Sequence, residues 1–114
     1  MSKVTVFIAD GTEEVECLTA VDLLRRAGVE VELVAVKDER TILSSHKVTI
    51  VADKAFEEAD FSDSDMIFIP GGMPGTINIT AHEGVAAVIK AQAEAGKKIA
   101  HVQKFLLGLA LQLC

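Results

Sequence analysis

Two short β-branched runs, separated by one helix-length segment, constrain the fold more than any other feature of the sequence. Residues 3–9 are almost continuously apolar, and residues 29–36 form a second run rich in valine. Runs of this length and composition predict strands buried inside a sheet. Because parallel neighbours need a crossover connection, the two runs and the segment between them predict a right-handed βαβ unit.

The connecting segment carries the signals of a helix over residues 13–27. Thr12 is the predicted N-cap, the first turn is acidic, the last turn is basic, and Gly28 is the predicted stop. Four apolar residues recur at helical spacing and are expected to face the sheet. They are Val15, Leu18, Val21 and Leu24.

The rest of the chain continues the alternation of strands and helices. Further strands are predicted at Met66–Ile69 and from Lys97 onward, a helix over residues 83–95, and a β-hairpin around residues 44–47. The acidic stretch 53–65 is expected at the surface, anchored by Phe56 and Phe61. The pattern predicts one α/β domain over residues 1–114, with a flavodoxin-like, doubly wound, mostly parallel sheet.

Composition excludes several classes of function. The formal net charge is −6, so no electrostatic footprint for nucleic acid or an anionic membrane is present. The longest apolar run, residues 105–111, is interrupted by Gly108 and is too short to span a bilayer. No signal peptide precedes the first strand, and Cys17 and Cys114 have no disulfide or zinc spacing, so a reduced cytoplasmic setting is expected.

Two loops follow predicted strands and could line a ligand crevice at the carboxyl ends of the sheet. One covers residues 9–16 and the other residues 70–75. Gly71 and Gly72 allow backbone N–H groups to approach a bound oxygen, although a glycine pair is also typical of a tight strand-to-helix turn. Glu13 and Glu14 suit the helix dipole, whereas Glu16 could lean back toward the strand ends.

The three histidines show no metal-ligand spacing, so no metal site is predicted. His46 is interpreted as a solvated turn residue or an interface contact. His82 is interpreted as a neighbour of a helix cap. His101 is the histidine that could face the strand-end crevice.

The two loops together resemble a known family. The segments ADGTEEVE, LLRRAGVEVELV, SSHKVTI and FIPGGMPGTINI are similar to the ThiJ/PfpI superfamily, specifically the YajL-like branch that includes the human parkinsonism-associated deglycase. The similarity runs from Met1 to about Ala100. The ADGxEExE motif combined with PGGxPGT at this spacing is specific to that group.

The resemblance implies a cytosolic homodimer that needs no cofactor. It implies glyoxalase or deglycase chemistry on methylglyoxal and its adducts with proteins and nucleotides, and chaperone-like behaviour in a stress response. Glu16 matches the acid that hydrogen-bonds the family's catalytic cysteine. Gly71 and Gly72 match the loop whose amides serve as an oxyanion site.

The similarity ends where the nucleophile is expected. Gln103 stands at the position of the catalytic cysteine, and an amide cannot act as a thiolate. The later histidine and closing elements of the family have no match, so the domain is expected to be incomplete at its C-terminal side. Residues 105–113 are interpreted either as a buried terminal helix or as the product of a frame change near Ala100.

Three hypotheses follow: a deglycase by descent that is inactive as written, a non-catalytic chaperone-like binding protein on the same scaffold, and a truncated product. Cys17 is interpreted as a small buried helix residue and not as a replacement nucleophile. Because one side of the sheet is left uncovered in an incomplete domain, self-association is also predicted.

Overall fold

The protein folds into a five-stranded parallel sheet with helices on both faces and a small separate hairpin. The structure, a computed structural model, describes residues 2–101. The elements in chain order are β1 (Lys3–Ile8), α1 (Glu14–Arg26), β2 (Glu30–Ala35), β3 (Thr41–Leu43), β4 (Thr49–Val51), β5 (Lys54–Ala55), a 3-10 turn (Phe56–Glu58), β6 (Met66–Ile69), α2 (Gly75–Thr80), α3 (Glu83–Glu94) and β7 (Lys98–His101).

The strand order β5-β2-β1-β6-β7 places β1 at the centre of the sheet. β1 pairs in parallel with β2 on one side and with β6 on the other. The chain therefore winds outward through β2 to one edge and later through β6 and β7 to the opposite edge. This reversal makes the carboxyl ends of β1 and β6 the topological switch point, where α/β sheets bind ligands. The predicted doubly wound α/β fold is confirmed.

The sheet separates two apolar cores because alternate side chains of each strand point to opposite faces. Val6 and Ile8 pack on the α1 side, and Phe7 packs on the side of α2 and α3. On that second side the rings of Phe56 and Phe61 lie 6.1 and 5.4 Å from the ring of Phe7. The prediction that these two phenylalanines anchor the acidic stretch is confirmed.

The buried face of α1 differs from the predicted one. Cys17 and Val21 are buried and Leu24 packs partly against them, whereas Val15 and Leu18 are 67% and 43% exposed. The prediction is right for Val21 and Leu24 and wrong for Val15 and Leu18. The buried stripe of α1 consists of Cys17, Val21 and Leu24, which follow one another at helical spacing. Val15 precedes Cys17 by two positions, so its side chain points to the opposite side of the helix.

The N-cap of α1 is Glu13, and the prediction of Thr12 is wrong. The Glu13 carboxylate accepts a hydrogen bond of 2.9 Å from the Val15 N–H. The Thr12 hydroxyl instead accepts from the Ala9 N–H at 2.9 Å, which closes the loop between β1 and α1. At the other end Gly28 has a φ of 83°, as its predicted role as the helix stop requires.

Two further elements refine the sequence-based description. β3 and β4 form the predicted antiparallel hairpin. α2 begins at Gly75, inside the predicted glycine loop, and continues to Thr80 through residues for which no element was predicted. The buried residues Thr76 and Ile79 show that tertiary packing stabilises this turn of helix. None of the helices within residues 2–101 combines the length and apolar character needed to cross a bilayer.

We expect Val21→Ala to lower the free energy of unfolding by about 1.5–3 kcal/mol, because it removes buried methyl groups from the core beneath α1. The matched control is Val15→Ala on the same helix, whose side chain is 67% exposed. This control is expected to change stability by less than about 0.5 kcal/mol. Urea unfolding measures both, and equal losses would contradict the assigned helix face.

Candidate functional site

The loops after β1 and β6 contact each other directly at the switch point. The Glu13 N–H donates to the Gly71 carbonyl at 2.9 Å. A Cβ atom built on Gly72 would lie 2.5 Å from the Glu13 nitrogen, and one built on Gly75 would collide with the backbone of Thr12. The glycines in this loop therefore permit a backbone approach that no other residue would allow.

The carbonyl groups of Gly71 and Gly72 are engaged, and their amides are not. Gly71 O accepts from Glu13, and Gly72 O accepts from the Thr76 N–H at 2.9 Å. Within residues 2–101, no acceptor takes the N–H of Gly71 or Gly72. Gly71 is buried and Gly72 is half-buried, so the loop offers two amide donors beside a carboxylate-bearing helix start.

Glu16 lies in the first turn of α1, on the same chain segment that contacts the glycine loop. Its pKa is raised above the ordinary value, first because burial disfavours the charged form and second because the Glu13 carboxylate lies nearby. A carboxyl with a raised pKa can hold or transfer a proton more readily than a fully solvated one. Glu16 therefore lies in the first helical turn after the switch-point loop, and its role beside a nucleophile stays a prediction.

Cys17 follows Glu16 but belongs to the interior. Its side chain is fully buried, and burial raises the pKa of the thiol to about 12. The prediction that it is a buried helix residue is confirmed. The cause of the raised pKa is desolvation, which disfavours the thiolate.

His101 ends β7, in register with Ile69 at the carboxyl end of β6. His101 therefore lies at the carboxyl ends of the strands, where the two loops also begin, and this agrees with its predicted position. Burial lowers the pKa of the imidazole, so its neutral form is favoured at neutral pH. Gln103, which was assigned to the nucleophile position, lies outside the described residues.

The remaining histidines have partners that the sequence did not indicate. His82 is itself the N-cap of α3, and its Nδ1 accepts from the Val85 N–H at 3.2 Å. His46 is exposed in the hairpin turn, and its Nδ1 lies 2.8 Å from a carboxylate oxygen of Glu14. Glu14 and His46 are 32 positions apart in the chain, so no spacing rule would have joined them.

Comparison with known proteins decides the family. The DJ-1/PfpI family profile matches residues 2–106. The chain belongs to the DJ-1/PfpI family. Among curated relatives, DJ-1 homolog B of Arabidopsis thaliana is 36% identical over 95 residues, which is 83% of this chain and 22% of the relative. A protein named deglycase from Thermococcus kodakarensis is 32% identical over 100 residues, 88% of this chain and 59% of the relative.

Solved structures of the DJ-1/PfpI family share the fold. Oxidized DJ-1 of Toxoplasma gondii superimposes with a TM-score of 0.85 at 37% identity, over 89% of this chain and 55% of that structure. DJ-1beta of Drosophila melanogaster gives a TM-score of 0.84 at 29% identity, over the same share of each chain. The chain therefore spans little more than half the length of these family structures.

We expect Gly72→Ala to destabilise the protein more than Gly28→Ala does, because both residues have positive φ but differ in free space. The φ angle is 104° at Gly72 and 83° at Gly28. A Cβ atom added at Gly28 would meet no other atom within 4 Å. The left-handed backbone costs about 1–3 kcal/mol at either position. The collision with Glu13 adds about 1–3 kcal/mol at Gly72. Equal losses in urea unfolding would contradict the close loop contact.

We expect Glu16→Gln to raise stability at pH 7. The folded state holds the Glu16 proton more tightly than the unfolded state, so stability falls as pH rises from the unfolded pKa through the raised folded pKa. Glutamine does not ionise, so the variant keeps the stability that the unmodified chain loses as pH rises. The difference in stability between the two proteins should shrink below pH 4.5, the ordinary glutamate pKa. The matched control is Glu83→Gln in the first turn of α3. A pH-independent effect of Glu16→Gln in thermal melts would contradict the raised pKa.

Proposed function

We propose that this chain carries the substrate-positioning part of a DJ-1-type deglycase or glyoxalase site for methylglyoxal adducts, and that it is inactive as written. The observation that supports the proposal most is the pair of N–H groups at Gly71 and Gly72, which have no acceptor among residues 2–101. Their loop is hydrogen-bonded directly to the start of α1, the helix that carries Glu16. The similarity to a protein named deglycase supports the same chemistry.

The proposed roles follow from the chemistry of a methylglyoxal adduct. When a nucleophile attacks such an adduct, negative charge develops on the carbonyl oxygen. Two backbone N–H groups aimed at one point stabilise that oxyanion. The carboxyl of Glu16, with its raised pKa, would transfer a proton to or from the same oxygen.

The missing part is the nucleophile. The family resemblance places a catalytic cysteine where this chain has Gln103, and a side-chain amide forms no thiolate. Cys17 does not replace it, because its thiol is fully buried and has a pKa of about 12. The chain would therefore bind a small reactive aldehyde or a glycated protein or nucleotide without turning it over.

We expect the purified chain to consume the hemithioacetal of methylglyoxal and N-acetylcysteine no faster than buffer, because no thiolate reaches the bound carbon. The deglycase of Thermococcus kodakarensis, assayed in parallel, is the positive control. If the chain turns over and Glu16→Gln abolishes the activity, the assignment of a missing nucleophile is wrong.

Binding is tested separately with lactate, the product released when a methylglyoxal adduct isomerises, its aldehyde carbon becoming oxidised as its ketone carbon is reduced, and is then hydrolysed. In a ¹H–¹⁵N NMR titration, the amide signals of Gly71 and Gly72 should shift, and those of Gly28 and Gly96 should not. Glu16→Gln should weaken the effect. Shifts that avoid Gly71 and Gly72 would contradict the proposed oxyanion site.

A second candidate function is non-catalytic, chaperone-like binding. It is favoured by the apolar side chains of Val15, Leu18 and Leu23, which are 67%, 43% and 60% exposed on α1. Clustered apolar exposure of this kind marks interaction surfaces. Suppression of client aggregation that Leu18→Ser weakens, without any hemithioacetal turnover, would favour this function. The same surface suits the self-association or homodimer that the sequence analysis predicted.

A further inference from the structure

We propose that Glu13, Glu14 and His46 form a Zn²⁺ site between the start of α1 and the turn of the β3–β4 hairpin. A ligand atom from each residue lies within 4.8 Å of the other two. His46 Nδ1 is 2.8 Å from Glu14 Oε1 and 3.4 Å from Glu13 Oε2. This site is separate from the proposed function and departs from the sequence-based expectation of no metal.

The distances suit a single small ion. Zn²⁺ lies about 2.0–2.2 Å from nitrogen and oxygen ligands, so two ligands of a tetrahedral site are roughly 3.4 Å apart. The separation between Glu13 and His46 already has this value, and the separation between Glu14 and His46 would lengthen by about 0.6 Å. An ion would take the place of the direct contact between His46 Nδ1 and Glu14 Oε1, with the imidazole bound as its neutral tautomer that carries hydrogen on Nε2.

The charge of the cluster favours a cation over a simple ion pair. The carboxylate side chains of Glu13 and Glu14 are 22% and 13% exposed, so both are shielded from water. Within residues 2–101, His46 is the one cationic side chain that pairs with either of them. Even a protonated imidazole would leave one negative charge uncompensated, whereas a divalent cation would neutralise both carboxylates.

The surrounding backbone holds the two segments in place without the metal. Gly11 N–H donates to the Leu43 carbonyl, and Ser45 N–H donates to the Thr12 carbonyl, each at 2.9 Å. The other carboxylate oxygen of Glu13 is fixed by the Val15 N–H at 2.9 Å. Because the ligands are positioned in advance, binding would require little reorganisation.

The donor set selects the class of metal. An imidazole nitrogen and two carboxylate oxygens suit Zn²⁺, while Mg²⁺ and Ca²⁺ prefer oxygen ligands alone. The Ser45 hydroxyl donates to Glu14 Oε2 at 3.1 Å, where it can orient that carboxylate, and its 3.1 Å contact with His46 Nδ1 would give way to the metal bond. The fourth coordination position would be left to water.

Isothermal titration of the full chain with ZnCl₂ tests the site. We expect one Zn²⁺ per chain, and we expect Glu14→Gln and His46→Lys each to weaken binding more than about tenfold. Lysine at position 46 keeps a cation beside the carboxylates but offers no lone pair at neutral pH, so it separates ion pairing from ligation. The matched control is Glu83→Gln, because Glu83 follows His82 at the start of α3 but has no part in the cluster.

A second measurement needs no variant and is therefore independent of folding defects. Added Co²⁺ should broaden the amide signals of residues 13–16 and 44–47 before any others, with no thiolate-to-cobalt absorption band. Stoichiometric binding that survives both ligand substitutions, a thiolate band, or broadening centred elsewhere would overturn the proposal. Absence of stoichiometric Zn²⁺ binding by the unmodified chain would overturn it as well.

Discussion

The contact between the loop after β1 and the loop after β6 is the constraint on which the rest of the structure depends. The hydrogen bond from Glu13 N to Gly71 O joins them where the winding of the sheet reverses. It can form only because Gly72 and Gly75 have no side chains that would push the loops apart. Close approach in turn brings the glycine loop against the first residues of α1, the helix that carries Glu16.

The same loop also positions the β3–β4 hairpin through hydrogen bonds. Asp10 accepts the Leu43 N–H at 2.9 Å, and Gly11 and Thr12 exchange further backbone bonds with β3 and the hairpin turn. These bonds bring His46 against the carboxylates of Glu13 and Glu14. One side of the α1 start therefore faces the glycine loop while the other faces an imidazole. The two faces differ in chemistry because they contact different segments of the chain.

Family membership and activity have different support. The profile match and the superposition show a DJ-1/PfpI fold over nearly the whole chain. Activity is a proposal that turns on position 103, where this chain has Gln and the family resemblance implies a cysteine. A fold by itself does not establish an activity. The chain spans 22% of the length of DJ-1 homolog B and 59% of the length of the Thermococcus kodakarensis deglycase.

By itself, the sequence determined the fold class, the βαβ opening, the hairpin and the two crevice loops, because these follow from local apolar patterning and turn residues. The motifs also singled out Glu16, Gly71, Gly72 and Gln103 as candidate site residues, whose roles stay predictions. Only the tertiary structure decided the buried face of α1, the cap at Glu13 and the helical state of Gly75–Thr80. It also decided the meeting of His46 with Glu14, since contacts between distant segments depend on how the chain packs and leave no trace in spacing.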